Sequence, residues 1–379
     1  MVVNAVPAPG PHTAQLWETK LMSEAYTVRL EPVGVEFEVE EGETVLNAAF
    51  RQGISLPHGC KEGQCSACKC ILAEGDVDML KYSTFALNEM ERDSGHILLC
   101  RTLAYSDMVV DLLNYDEEVL SKSIAVRTFE GRIVRIERLT HDIRGIGITL
   151  NAPLKFWAGQ YVDITVTTEK GETITRSFSM ANTPDETEEL AFIIKKYPEG
   201  KFSNELDNGG IRAGAAVTVT GPYGTCFRRE GRDGPLILVA AGSGLSPIWS
   251  ILNDHVASGE DRDTFFFYGA RTQADLFHLD KIAAVTAAHP KVRFIPVLSH
   301  AGDDATWTGE RGFVHEEVGR VLRENGIDGD GDVYACGPPP MIDALQPVLF
   351  MNGFDGDRVF FDKFTTTSSP APQMAATAH

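Results

Sequence analysis

PHGCKEGQCSACKC at residues 57–70, with LLC at residues 98–100, is the stretch from which the rest of this 379-residue chain is read. Cys60, Cys65 and Cys68 stand in the spacing C-x4-C-x2-C, and Cys100 follows on a separate segment. Four thiolates in that order are the ligand pattern of a plant-type [2Fe–2S] cluster. A loop that wraps such a cluster must bring its backbone close and aim N–H groups at the sulfurs. Gly59, Gly63, Ser66 and Ala67 are small enough to allow it. The competing reading is a structural zinc site, which more often takes two C-x2-C pairs. Cys70 breaks the spacing, so it is expected to be dispensable. His58 beside Cys60 is a neighbour or an alternative ligand of a set that four thiols already complete. A one-electron centre of this kind passes electrons.

Working outward, YTVRLE and VEFEVEEGE alternate in polarity on either side of a short break and predict a hairpin. Thr44 is placed to cap a helix that runs through Arg51, with Gly53 ending it. After the cysteine loop, HILLCRTLAY is expected to return as a strand carrying Cys100. Strand, strand, helix, loop, strand is the order of an α+β, β-grasp domain, expected over residues 24–115, with 116–125 as a charged linker.

Beyond the linker, residues 126–229 hold RTFEGRIVRIERL, IRGIGITL, QYVDITVTT, TITRSFSM, LAFIIKKY and AVTVTGPYG. Short alternating strands at such spacing predict an antiparallel β-barrel. From residue 230 to 364 the period changes. PLILVAAG, DTFFFYGA, VRFIPVLS and DVYACG read as apolar strands, and SPIWSILNDHVASG, ADLFHLDKIAAVTAAH and PPPMIDALQPVLFMNG as helices. That alternation predicts an α/β domain whose parallel sheet is covered on both faces. Residues 1–21 and 365–379 are low in pattern and expected to be disordered, and Met22 is a candidate start of translation.

The bulk numbers narrow the function. A formal net charge of −20 argues against nucleic acid and anionic membranes as partners. No apolar run reaches the length of a membrane span. Seven cysteines, an odd total with four in a metal pattern, argue for a reducing compartment, which the cytoplasm provides.

Further motifs point to phosphate-bearing cofactors. Arg176-Ser177-Phe178-Ser179 lies on an expected barrel strand, and Gly200-Lys201-Phe202-Ser203 follows after a turn, with a helix expected to start at Ser203. A guanidinium, hydroxyls and a helix start suit a pyrophosphate. Gly242-Ser243-Gly244-Leu245-Ser246-Pro247 is a Gly-rich turn from strand to helix, another phosphate-binding shape. Tyr334-Ala335-Cys336-Gly337-Pro338 ends a strand at the carboxyl edge of the expected parallel sheet. After the second strand of that sheet, Arg271 is the lone basic group and Asp275 opposes a 2′-phosphate, so NADH is expected rather than NADPH.

R-x-F-S followed by G-x-x-S resembles the flavin fingerprint of the ferredoxin-NADP⁺ reductase superfamily, with Phe178 in place of its usual Tyr. GSGLSP and YACGPPPM are similar to the pyridine-nucleotide segments of the same superfamily. Phe360-Phe361-Asp362-Lys363-Phe364 is similar to its aromatic chain end near the flavin. With the cysteine domain first, the whole resembles the reductase components of bacterial multicomponent oxygenases, such as the soluble di-iron monooxygenases. The resemblance implies electron flow from NADH through FAD and the [2Fe–2S] cluster to a separate oxygenase, here expected to be a di-iron hydroxylase. It implies flavin contacts from Arg176, Ser177, Phe178, Ser179, Gly200, Lys201, Phe202, Ser203 and Phe361. It implies nucleotide contacts from Gly242, Gly244, Pro247, Cys336, Gly337 and Pro338. Ser179 and Cys336 are the candidates to flank the hydride path, and no general acid or base is needed. The alternatives are a reductase serving a Rieske dioxygenase or a cytochrome P450, and, more distantly, a cluster-bearing sensor without turnover.

Overall fold

The computed structural model describes residues 25–186, 188–302 and 306–364; the terminal stretches expected to be disordered lie outside these residues. The described chain divides into two compact units, residues 25–52 with 56–117, and residues 53–55 with 118–364.

In the first unit, Ala25–Glu31 and Val35–Glu40 form the expected antiparallel hairpin. The period of two puts Val28, Leu30, Phe37 and Val39 on one buried face. Thr44 caps the helix Val45–Arg51, its hydroxyl accepting the Asn47 N–H at 3.4 Å. That helix buries Val45, Leu46, Ala48, Ala49 and Phe50. The sheet runs in the order 35–40, 25–31, 108–112, 69–74 and 96–98. Its 25–31 and 108–112 strands pair in parallel, and its remaining described pairings are antiparallel.

One expectation needs correction here. HILLCRTLAY is not a single strand: His96–Leu98 and Thr102–Ala104 belong to different sheets. Between them the Arg101 N–H closes a turn on the Leu98 carbonyl at 2.8 Å. A continuous strand would force strict alternation of side chains. The turn releases Cys100 from that alternation, so its thiol reaches the cysteine loop while Leu98 and Leu99 stay fully buried.

The helix Glu117–Ser121 lies inside what the sequence presents as a charged linker. An antiparallel sheet follows in the order 173–179, 161–167, 216–223, 127–138, 143–150, 190–195. An isolated bridge between Met180 and Phe192 joins its two edges and curls it toward a barrel. Ile146, Ile148, Val162, Ile164, Phe192, Phe202 and Val219 fill the interior. The helix Lys201–Asn208 begins earlier than expected, with Gly200 preceding it and Ser203 in its first turn.

The last sheet is parallel throughout, in the order 310–311, 292–298, 264–270, 236–241, 332–337, 359–363. Leu236, Ile237, Leu238, Val239, Phe266, Phe267, Val333 and Tyr334 are fully buried. Burying each such side chain stabilises the fold by about 1.5–3 kcal/mol before ordering entropy is set against it. The helices Leu245–Ser258, Leu279–Ala288, Val314–Glu324 and Pro339–Met351 accompany it. The second of these starts later than its sequence pattern suggests. Asp275 accepts hydrogen bonds from the Thr272 N–H and hydroxyl at 2.9 and 2.8 Å, and this tied turn holds the chain out of the helix. The strand order reverses between 236–241 and 332–337, a topological switch point where α/β sheets bind ligands.

Candidate functional site

The four thiols of the sequence pattern come together in the first unit. Cys60 and Cys65 sit half-buried on the loop, while Cys68, just before the strand Lys69–Glu74, and Cys100 in its turn are buried. They associate two and two. The Cys65 thiol donates to Cys60, and this contact, reinforced by the Glu62 and Gln64 N–H groups at 3.4 and 3.2 Å, draws Cys60 down to about 5 against the opposing effect of burial. The Cys100 thiol donates to Cys68 in the same way and lowers it. The donors, Cys65 and Cys100, are pushed up by those same hydrogen bonds and by burial. Backbone N–H groups of Cys60 and Ala67 point at Cys65, that of Cys100 at Cys68, and that of Gly63 at Cys100.

This donor set fits a [2Fe–2S] group. Two thiol pairs would supply two ligands to each of two irons, and the backbone N–H groups would stabilise the sulfur charge. The loop conformation depends on Gly63. Its φ is +68°, and a Cβ there would stand 2.8 Å from both Tyr82 Cβ and Arg101 Cγ. Cys70 lies in the core, its thiol pushed up to about 12 by burial. His58 turns its Nδ1–H to the Leu56 carbonyl at 2.7 Å and packs edge-on against Phe50.

The two halves of the flavin fingerprint meet on the barrel. Phe178, on the strand Thr173–Ser179, packs against Phe202 at the start of the helix Lys201–Asn208, with ring centroids 4.9 Å apart. Strand pairing sets Arg176 and Phe178 on one face, opposite Ile164 and Val162. Lys201 pairs with Glu172, and Arg176 is close enough to help lower the same carboxyl. The N–H groups of the first helical turn have no intrahelical acceptors and carry the positive end of the dipole. With a half-buried guanidinium on the adjoining strand, this cradle fits a pyrophosphate. Ser203 contributes through its backbone, because its hydroxyl donates to the Gly200 carbonyl at 3.2 Å and accepts the Tyr197 N–H at 3.3 Å. Ser177 is set apart on the opposite strand face, donating to Asp163 at 2.6 Å.

The nucleotide motifs meet at the switch point. The turn Gly242–Gly244 presses onto the end of the strand Asp332–Gly337: a Cβ on Gly244 would stand 2.0 Å from the Cys336 carbonyl oxygen. Only glycine permits that approach. Pro247 is buried in the first turn of the helix Leu245–Ser258, and Pro338 precedes the helix Pro339–Met351. The Ser246 hydroxyl donates to the Ser179 carbonyl at 2.7 Å, and Ser250 to the Asn182 carbonyl at 2.7 Å. The nucleotide helix is therefore laced to the end of the flavin strand, and Ser179 and Cys336 lie on either side of that seam. Cys336 is fully buried and hydrogen-bonded to Cys226; burial first, then that contact, keep its thiol protonated.

At the chain end the aromatic residues divide by face. Phe360 turns inward and stacks on Tyr334 at 5.0 Å, whereas Phe361 is 40 % exposed beneath Lys363. Phe364, half-buried, donates its N–H to the Gly337 carbonyl at 2.9 Å, which holds it closer to the nucleotide motif than the sequence indicates. Ser246, Ser250, Cys226 and Phe364 are the site neighbours that sequence reasoning missed. A serine or cysteine carries no spacing signal of its own. Ser246, inside the GSGLSP turn, and Phe364, from its place in the terminal motif, were open to detection.

Comparison with known proteins gives three successive family matches. Residues 28–105 match the 2Fe-2S iron–sulfur cluster binding domain, 130–227 the oxidoreductase FAD-binding domain, and 238–346 the oxidoreductase NAD-binding domain. The chain is 42 % identical over 350 residues to the propane 2-monooxygenase reductase component of Rhodococcus jostii, spanning 91 % of this chain and 93 % of that protein. It is 36 % identical over 355 residues to the phenol 2-monooxygenase reductase component of a Pseudomonas species, spanning 93 % and 98 %. The crystal structure of an Amycolatopsis cytochrome P450 reductase aligns with a TM-score of 0.80 at 30 % identity, over 90 % of this chain and all of that one.

Proposed function

We propose that this chain, which belongs to the family of [2Fe–2S] flavoprotein reductase components of monooxygenases, passes electrons from NADH to a separate di-iron hydroxylase in the cytoplasm. The observation that carries the reading is the match at 42 % identity, over 91 % of this chain, to a propane monooxygenase reductase component. When bound, the nicotinamide supplies a hydride, FAD holds one or two electrons, and the cluster takes them singly. The residues of this chain bind and orient. Cys60, Cys65, Cys68 and Cys100 ligate iron. Arg176 and the start of the helix Lys201–Asn208 neutralise the flavin pyrophosphate, and Phe178 packs beside it. Gly242 and Gly244 admit the nucleotide phosphates, and Cys336 and Gly337 border the nicotinamide. Ser179 and Cys336 flank the hydride path. Asp275, tied to Thr272 and 3.5 Å from His141, disfavours a 2′-phosphate and supports NADH. Seven free cysteines suit a reducing cytoplasm.

The likeness to the Amycolatopsis reductase favours a cytochrome P450 as the second reading of the partner. Reconstitution separates the two. The NADH-reduced protein is mixed with a di-iron hydroxylase isolated from the same host, or with a cytochrome P450 from it, and product formed per NADH is measured. Coupled turnover with the hydroxylase is expected. Coupling to the P450 alone would overturn the di-iron assignment, and failure to reduce cytochrome c with NADH would overturn the reductase reading altogether.

A further inference from the structure

Of the seven cysteines, four form the cluster set and Cys70 packs in the core of the first unit, which leaves Cys226 and Cys336. Both belong to the second unit and meet in its interior. Cys226 lies in the crossing that follows the barrel strand Ala216–Tyr223, and Cys336 is on the strand Asp332–Gly337. The Cys336 thiol donates to the Cys226 sulfur, and both side chains belong to one apolar cluster with Ala240 and Tyr334. Cys336 is 0 % exposed and Cys226 8 %.

The main chain at both residues is confined. A Cβ on Gly244 would stand 2.0 Å from the Cys336 carbonyl oxygen, and one on Gly159 would stand 2.4 Å from that of Cys226. Pairing with Ala240 on one side and Asp362 on the other fixes the register of Cys336. The two sulfurs are therefore held in contact by backbone that core packing immobilises. A small apolar filler explains either cysteine alone. It does not explain two sulfurs set against each other where Cys336 borders the nicotinamide.

We propose that Cys226 and Cys336 are a site of reversible oxidative modification, a dithiol that hydrogen peroxide converts to a disulfide, closing the nicotinamide end of the nucleotide site. Cys226, the more exposed, reacts first. It releases its proton to solvent and its sulfur attacks one peroxide oxygen; the O–O bond breaks, and the departing hydroxide takes up a proton and leaves as water. Cys226 is then a sulfenic acid. The Cys336 sulfur attacks that of Cys226, the S–S bond forms, the S–O bond breaks, and the hydroxyl leaves as water with the Cys336 proton. Two thiols have lost two electrons, and one peroxide has become two waters. Burial, the Cys226 contact and the Asp362 carboxylate keep Cys336 protonated, which leaves Cys226 to make the first attack. Closing the sulfurs from hydrogen-bond contact to a bond of about 2.05 Å draws the two chains together. Cys336 cannot shift without disturbing Gly244, so the Gly-rich turn moves and the nucleotide binds less tightly. In a reducing cytoplasm such a bond is transient, as a redox sensor requires. The effect on binding rests on the nucleotide site proposed above, and untreated protein unable to bind NAD⁺ would overturn that site instead.

The test treats the full-length protein with its cofactors with hydrogen peroxide, at the highest dose that leaves its iron content intact. After alkylation in denaturant and digestion, a peptide joining Cys226 to Cys336 is expected, lighter by two hydrogens than the two thiol peptides together and split by dithiothreitol. The Kd for NAD⁺, read by calorimetry on the treated protein, should rise about tenfold and return on reduction. Cys226→Ser should form no cross-link and should keep its own NAD⁺ affinity through the treatment. Cys226→Ala, which places no hydroxyl in the core, should behave alike. Recovery of both cysteines as free thiols, or as sulfinic acids without a cross-link, would overturn the inference. So would a cross-link that leaves the Kd unchanged, or a peroxide-induced loss of affinity of equal size in the two variants.

Discussion

Cys65 and Cys70 are thiols five positions apart on one stretch of chain, and their surroundings give them opposite roles. Cys65 faces Cys60 under two backbone N–H groups, whereas Cys70 packs in the core with its thiol held protonated. Cys65→Ser is therefore expected to lose the two irons and labile sulfides per chain while retaining flavin and NADH–ferricyanide turnover. Cys70→Ala should keep the cluster and cost at most about 1 kcal/mol of stability. Iron and sulfide assays check both, and a Cys70→Ala protein without its cluster would refute the ligand set. His255 shows what spacing alone does not reveal. It is 2 % exposed, and burial, with Arg228 and Arg262 nearby, lowers it to about 4 despite Glu260; its Nε2 is 3.2 Å from the Thr264 hydroxyl. The unfolded ring takes its proton near pH 6.5. Between those two values the unfolded chain binds more protons, so stability should rise with pH across the window and level off on either side. The rise is on the order of 3 kcal/mol at most. Denaturant titrations from pH 4 to 7 should show a shallower slope for His255→Gln.

At the scale of elements, strand and helix cooperate at the flavin cradle. Arg176 sits on a strand, the N–H groups it complements belong to the start of the helix Lys201–Asn208, and the Phe178–Phe202 contact sets one against the other. Losing a charge-assisted contact to a pyrophosphate costs about 2–3 kcal/mol, or roughly a hundredfold in affinity. Arg176→Ala is expected to purify depleted of FAD and to recover part of it on addition of the cofactor; stoichiometric flavin after dialysis would contradict the assignment. The strands and the Gly-rich turn were legible because their periods and spacings are local. The break at Leu99–Arg101, the early start of the helix at Lys201 and the late one at Leu279 were not. Each coincides with a three-residue turn bond, backbone to backbone at Leu98–Arg101 and through a side chain at Gly200–Ser203 and Thr272–Asp275, that hydrophobic period does not register.

For the whole molecule, charge is the property that a partner meets first. Residues 25–117 carry seventeen acidic and seven basic side chains, and Glu62 and Glu74 are exposed. Acidic groups on the unit that bears the redox centre steer a basic docking surface, and salt screens that attraction over about 8 Å at physiological ionic strength. Electron delivery to the oxygenase is expected to fall steeply as salt rises while NADH–ferricyanide turnover barely changes, and the double variant Glu62→Lys/Glu74→Lys should slow only the partner-dependent rate. A salt-independent rate would reduce these carboxylates to a solvated face. The sequence by itself determined the order of the three parts, the four-cysteine pattern and the cofactor classes, because cysteine spacing, strand period and glycine placement are properties of short stretches. Only the tertiary structure decided how the thiols pair, that Gly244 abuts Cys336, that Ser246 laces the nucleotide helix to the flavin strand, and that Cys226 meets Cys336. Apart from Cys60 with Cys65, those are contacts between residues far apart along the chain. Packing the core, rather than any local preference, brings them within hydrogen-bond reach.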